Sequence, residues 1–418
     1  MRLNKIGYAC LALGVPNSSL RSMTLKNVTD ELLFKLIEQN LAALEVLVDY
    51  NIRNEIKLFR ISSDLIPFGS SWANNLPWSE RYAEVFKRIG AKINLSGMRV
   101  SLHPGQYTVL NSPDDTVAHN AALDLDYHNL ILDLLGVGQE HKIILHLGGA
   151  YNDKAAAKNR FIERWLALAP EVRSRLVLEN DDRLFNISDV IDVSSRTGIP
   201  VVYDNLHNET NPADPGVSDL DWIRAVAGSW QAADGKQKIH YSQQNPEKKP
   251  GAHSSTIYID PFLSFYETLP NIDVMLEVKD KNLSAVKCLN CTSNRGIFAL
   301  EAEWGRYKYT VLEHDPAAYQ AIRALLKDKK RYPAVEMYRL IEQALAAEIQ
   351  AGNAVNAAQH VWGYFKYKAE PAEKKRWENA LQKYISGSAT LASVKNVLQK
   401  LAQKYEVDYL NNGYYFSL

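Results

Sequence analysis

Six short apolar segments of the chain each run into one residue of metal-ligand type, always near the segment's C-terminal end. They are MRVSLH with His103, KIILHL with His146, RLVLEN with Glu179, PVVYDN with Asp204, KQKIHY with His240 and DVMLEV with Glu277. Successive ligands are 25 (179 to 204) to 43 (103 to 146) residues apart, the length of a strand plus a crossover helix. In a (β/α) barrel the C-terminal ends of all strands open on one face, so six residues far apart in sequence converge there. Imidazoles and carboxylates meeting on one face suit divalent metals, and packing alone gives no reason for the recurrence.

Strand and helix patterns alternate eight times, with strands expected near 5–10, 57–62, 98–103, 142–147, 175–180, 200–205, 236–242 and 272–279. Among the helices, 30–49 carries leucines at helical spacing and 117–135 follows the third strand. The later strands are near-continuous Val/Ile/Leu runs, as parallel strands covered on both faces are. The fold class is α/β: a TIM (β/α)8 barrel over residues 1–300, with an all-helical C-terminal domain over 301–418. Helices are expected there at 315–329, 334–350, 353–367, 371–385 and 389–405.

Three cysteines, Cys10, Cys288 and Cys291, are too few for a disulfide framework, and a reducing, cytoplasmic setting is expected. Cys288 and Cys291 lack a second pair and read as reduced thiols rather than zinc ligands. The opening MRLNKIGYACLALG reads as the first strand rather than a signal peptide, its apolar run being broken by Gly7 and Gly14. No run approaches the ~20 apolar residues of a membrane span. With 48 basic and 48 acidic residues the net charge is zero, against a protein that coats nucleic acid indiscriminately. Nothing in the sequence points to an obligate protein partner.

Asp204 and His207 form Asp-x-x-His just after the sixth strand, and His253 lies in a long seventh loop that must fold over the mouth to join them. The ligand set is then His103, His146, Glu179, Asp204, His207, His240, His253 and Glu277. That is more than one ion needs, so two or three ions sharing bridging carboxylates are expected; paired ions suit in-line phosphoryl chemistry. Glu179 and Asp204 can alternatively cap the helices that follow them. Glu277 sits inside an apolar run, where an unpartnered carboxylate is costly. Lys238 shares a face of the seventh strand with His240. It either becomes a bridging carbamate by taking up CO₂ or contacts phosphate. Gln106 and Tyr107 follow a tight Pro104-Gly105 turn and suit replacing and stacking on a base. Arg60 reads as a phosphate or carboxylate clamp. Tyr8 either lines the same pocket or fills the barrel.

Taken together, GYACLALG, LFRISSDLIPFGS, SLHPGQY, HLGG, LVLENDD, VVYDNLHNE, KIHYS, GAHS and DVMLEVKDKNLSAVKC resemble the ultraviolet-damage endonuclease family, from the first strand to about residue 293. The resemblance implies an enzyme acting on damaged double-stranded DNA. It nicks 5′ of cyclobutane pyrimidine dimers and 6-4 photoproducts, with some activity on abasic sites, leaving a 3′-hydroxyl and a 5′-phosphate. It implies that His103, His146 and Glu179 share one ion, that Glu179 bridges to a second completed by Asp204, His240 and Glu277, and that His207 and His253 hold a third. Manganese is the implied metal, and zinc also fits the donors. By motif, Gln106 and Tyr107 match the family's lesion-probing pair, Tyr8 a pocket tyrosine and Lys238 a modified lysine. The catalytic set is then Glu179, Glu277 and Lys238. The tail resembles an extension found on some bacterial members, and its basic clusters, Lys327–Arg331 and Lys374–Arg376, read first as solvated helix faces, with contact to flanking DNA as the alternative. Alternatives on the same barrel are an apurinic endonuclease or a sugar isomerase, and, from another class, a binding protein with structural metals.

Overall fold

In the computed structural model, which describes residues 4–418, eight parallel strands close into a barrel in chain order. They are β1 (Ile6–Ala9), β2 (Leu58–Arg60), β3 (Arg99–Leu102), β4 (Lys142–Leu145), β5 (Leu176–Glu179), β6 (Val201–Asp204), β7 (Lys238–Tyr241) and β8 (Asp273–Leu276). All eight lie within the windows expected from the sequence. β8 closes on β1 through Ile6↔Val274, Gly7↔Met275 and Tyr8↔Leu276. A Cβ added to Gly7 would stand 1.7 Å from the Leu58 carbonyl oxygen, so only glycine lets β1 lie this close to β2.

Side chains alternate across a strand, and the register assigns one set to the barrel interior. Ile144, Val177 and Val202 form an apolar layer there, with Trp230 packed against it. Below it, towards the strands' N-terminal ends, Arg99 pairs with Asp273 at 3.3 Å and Lys142 with Asp234. Two residues further along each strand the same face arrives at the C-terminal mouth. His103, His146 and Glu277 follow directly after β3, β4 and β8, Glu179 and Asp204 end β5 and β6, and His240 is the penultimate residue of β7.

Outside the barrel, the helix Asp30–Arg53 is capped by Thr29, which accepts from the Leu32 amide, and buries Leu33, Leu36, Leu41 and Leu44. The helix Asp115–Leu134 is capped by Asp114, which accepts from the amides of Thr116 and Val117. Caps of this kind are worth about 1 kcal/mol each.

The chain divides into two compact units. One comprises the chain through Ala12, Asn17–Ile257 and Ser264–Val286; the other comprises Leu13–Pro16, Tyr258–Leu263 and Lys287–Leu418. The boundary expected at residue 300 falls inside a helix, Ile297–His314, that the sequence reading did not anticipate. Its apolar residues alternate with Glu301, Glu303, Arg306 and Lys308, and Leu300, Trp304, Tyr307 and Val311 are all buried. The second unit continues through helices Pro316–Leu325, Ala334–Ala346, Ala351–Trp362, Pro371–Ile385 and Leu391–Lys404. Its core gathers Leu312, Val361, Phe365, Trp377, Val394 and Leu398. No helix among the described residues is long and apolar enough to cross a membrane. The three cysteines are free thiols.

Candidate metal centre

Glu179 stands at the middle of the mouth, 1% exposed. Its Oε2 accepts from His103 Nε2 at 3.1 Å and lies 3.6 Å from His146 Nε2. Its Oε1 accepts from His240 Nδ1 at 2.6 Å and lies 3.6 Å from His207 Nδ1. Two groups of ligand atoms therefore meet in this one carboxylate. His103, His146 and Glu179 form one; Glu179, Asp204, His240 and Glu277 form the other, with the atoms of each group within 4.8 Å of one another.

Burial is graded across the site. Glu179, Asp204 and His240 are sealed at the floor, whereas His103, His146, His207 and His253 keep 16–28% of their side chains exposed around the rim. His253 arrives because its loop folds back as a hairpin, pairing Gln244 with His253. That places His253 Nε2 3.9 Å from Glu277 Oε2. His207 directs Nδ1 to the Asn180 carbonyl at 2.9 Å.

Asp204 serves two purposes at once. Its Oδ1 accepts from the His207 amide at 2.8 Å and caps the helix Asn205–Thr210, so the capping alternative also holds. Its Oδ2 is buried with no hydrogen-bond partner among the described residues, as is His146 Nδ1. A buried unmet polar atom costs about 1–3 kcal/mol, which a ligand would relieve.

The electrostatics agree. Burial pushes the Glu179 carboxyl up, but His240 and His146, with hydrogen bonds from His103 and His240, hold it well below the usual range. Burial raises Asp204 to about 7, with the charges of Glu179 and Glu277 adding to the rise and His207 opposing it. Burial lowers His240 to about 4, keeping the imidazole neutral as a ligand must be. Burial lowers His207, yet Asp204, Glu179 and Glu277 outweigh it and raise the group to about 9. Clustered carboxylates of which Asp204 is driven towards protonation, beside a neutral His240 and a His207 that holds a proton against them, are what a divalent cation resolves. The donor set therefore fits divalent ions.

Arg60 is brought fully into the site. Its Nη2 donates to Glu277 Oε1 at 2.6 Å and to His240 Nε2 at 2.9 Å, so it clamps a ligand carboxylate. Lys238 lies inside the barrel on the face that carries His240, 1% exposed. Burial, together with Arg99 and Arg60, lowers its amine well below the ordinary lysine value. Gln106 and Tyr107 are exposed, Tyr107 by 67%, on a turn closed by the Thr108 amide donating to the Gly105 carbonyl. Tyr8 is not brought to the mouth. It packs against Phe59, and its hydroxyl donates to Asn51 on the helix Asp30–Arg53, so it fills the layer between barrel and helix. The motif that suggested a pocket tyrosine is present, but the strand pleat turns this ring outward.

Two supporting residues escaped the sequence reading. Asn180 and Asn205 each follow a ligand carboxylate and stitch their strand end to the next one. Asn180 exchanges bonds with the Asp204 backbone at 2.9 and 3.0 Å, and Asn205 with the Ser242 backbone at 2.8 and 2.9 Å. The repeated carboxylate–Asn dipeptide in LVLEN and VVYDN was the signal that could have found them.

A family model described as UV-endonuclease UvdE matches residues 4–299. The chain belongs to the UV DNA damage endonuclease family. A relative bearing that name from Clostridium perfringens is 37% identical over 412 residues, covering 96% of this chain and 94% of the relative. One from Bacillus cereus is 31% identical over 277 residues, covering 65% of this chain and 87% of that protein. The crystal structure of SacUVDE aligns with 36% identity and a TM-score of 0.66, covering 69% of this chain and 97% of that one. The resemblance read from the sequence and the barrel fold are thus both established. Residues 308–418 match a second family described only as a protein of unknown function (DUF1722). The match to the Clostridium protein extends over almost the whole chain, so the helical unit belongs to this branch of the family rather than to this chain alone.

Proposed function

We propose that this UV DNA damage endonuclease hydrolyses the phosphodiester bond immediately 5′ of a pyrimidine photoproduct, leaving a 3′-hydroxyl and a 5′-phosphate, with two or three divalent ions in the barrel mouth. The observation that carries the reading is Glu179, whose two carboxylate oxygens face two separate ligand groups. His103 and His146 would hold one ion with Glu179; Asp204, His240 and Glu277 would hold a second with it; His207 and His253 would hold a third. Bound ions of this kind activate water and neutralise charge on the phosphate and the leaving 3′-oxygen. The resemblance favours manganese, and nitrogen and oxygen donors also accommodate zinc.

The chain's own residues supply the rest. Arg60 keeps Glu277 ionised and oriented. Lys238 serves as a carbamate: its buried amine, held neutral, adds CO₂ to give R–NH–COO⁻ and a proton, turning a neutral amine into an anion on the face that carries His240. Gln106 and Tyr107 enter the space left by an unstacked lesion, Gln106 offering hydrogen bonds and Tyr107 a stacking face. The working compartment is the cytoplasm, in keeping with three free thiols.

The test is a duplex carrying one defined thymine dimer, incubated with manganese and with chelator. A metal-dependent cut at the 5′ side is expected. Cutting only at an abasic site would overturn the lesion assignment, and undiminished cutting in chelator would overturn the metal requirement.

A further inference from the structure

The helical unit carries a cationic groove that the barrel chemistry does not use. It lies along the helices Pro371–Ile385 and Leu391–Lys404 and encloses about 570 Å³. Lys375, Arg376, Asn379 and Lys383 line it from the first helix, at the i, i+1, i+4 and i+8 positions that share one face. Ala372 and Ala380 also line it from this helix, so small side chains flank the cations. Ser388, from the turn between the helices, and Ser393, from the second helix, add hydroxyls, and no carboxylate lines the groove.

The distribution of charge on these helices is uneven. The acids Glu370 and Glu373 are engaged by Lys404 at 2.8 and 2.7 Å, and Glu373 also accepts from the Tyr405 hydroxyl at 2.7 Å. Lys375, Arg376 and Lys383 are exposed and, among the described residues, make no ion pair. The same helix packs inward through Trp377 and Leu381, so the cationic face is not needed for folding. Three unneutralised cations in one concavity repel each other and are relieved by a polyanion.

We propose that this groove binds the sugar–phosphate backbone of duplex DNA, giving the chain a second, sequence-independent grip on its substrate. Lys375 and Lys383 are eight residues apart, about 12 Å along a helix at 1.5 Å per residue. That spans several phosphates of one strand at about 3.4 Å per step. Joined to a unit of the endonuclease family, even a weak backbone site raises the effective concentration of DNA. The inference rests on DNA being the substrate and is independent of where the barrel cuts it.

The experiment uses the full chain with K375Q/R376Q/K383Q and the charge-preserving K375R/R376K/K383R, titrated with an undamaged fluorescent duplex at several salt concentrations. Neutralising the groove lowers duplex affinity about tenfold or more and makes the plot of log K against log salt shallower by about 2–3, one increment per phosphate contact. The charge-preserving variant binds as the parent does. On the dimer-containing duplex the neutral variant raises KM and leaves kcat unchanged. An unchanged affinity and salt slope would overturn the proposal, as would equal loss in both variants or a loss seen with single-stranded RNA and not with duplex DNA. Failure of the parent to nick any duplex would instead count against the barrel's proposed reaction, since the binding measurement needs no cutting.

Discussion

At the scale of single residues, Glu179 carries more of the site than any other group, because each of its oxygens faces a different set of imidazoles. Glu179→Gln keeps the shape but replaces one acceptor oxygen with a donor and removes the charge. The expected result is at least a hundredfold loss of nicking together with loss of bound metal, read by turnover and by metal analysis of the purified protein. Tyr107 is the residue proposed for lesion recognition rather than metal binding. It is largely exposed and, among the described residues, forms no hydrogen bond with the candidate ligands, so Tyr107→Ala should leave metal content intact. Its preference for damaged over intact duplex should fall about tenfold, measured as a ratio of kcat/KM values. Unaltered preference would remove Tyr107 from lesion recognition.

At the scale of elements, the strand ends are held in place by short side-chain bridges to neighbouring strands. One of them has a pH signature. His141, just before β4, accepts the Val100 amide of β3 through Nδ1 at 3.0 Å, and burial lowers its pKa to about 4. A histidine free in the unfolded chain titrates near 6.5, so between about 6.5 and 4 the unfolded state binds the extra proton. The stabilisation is therefore complete above about pH 6.5 and is lost as pH falls towards 4, amounting to a few kcal/mol at most. His141→Asn should show a shallower decline of unfolding free energy than the parent across that window, measured by urea titration at fixed pH values. Parallel declines would show that another group controls the acid lability.

For the whole molecule, the charged mouth of the barrel implies that folding and metal loading are linked. Glu179, Asp204 and Glu277 crowd together, and Asp204 is pushed up to about 7 by burial and by its acidic neighbours. A cation that binds only the folded chain stabilises it by about 2.7 kcal/mol at a hundred times its Kd. The thermal midpoint should therefore rise with manganese concentration and fall in chelator, and Glu179→Gln should blunt the rise. A midpoint indifferent to metal in the parent would contradict loading at this site.

Much of this protein was legible without coordinates. The recurrence of ligand-type residues after apolar runs follows from the parallel barrel itself, since every strand must end on the same face, and strand spacing alone located all eight strands. His103, His146, Glu179, Asp204, His240 and Glu277 were readable for that reason. Local pattern could not decide which way a side chain points when both faces of a strand are apolar, which is why Tyr8 was open and proved to face a helix. Nor could it show the helix Ile297–His314, whose mixed composition becomes amphipathic only against a core built from residues as far as 111 positions later. The sequence by itself determined the barrel, through periodicity, the family, through its motifs, and the candidate ligand residues, through residue type and position. Only the tertiary structure decided that Arg60 clamps Glu277, that Asn180 and Asn205 tie strand ends together, and that three lysine and arginine side chains share one groove. Those are distances between groups that the chain holds far apart or, on one helix, faces that only packing can expose.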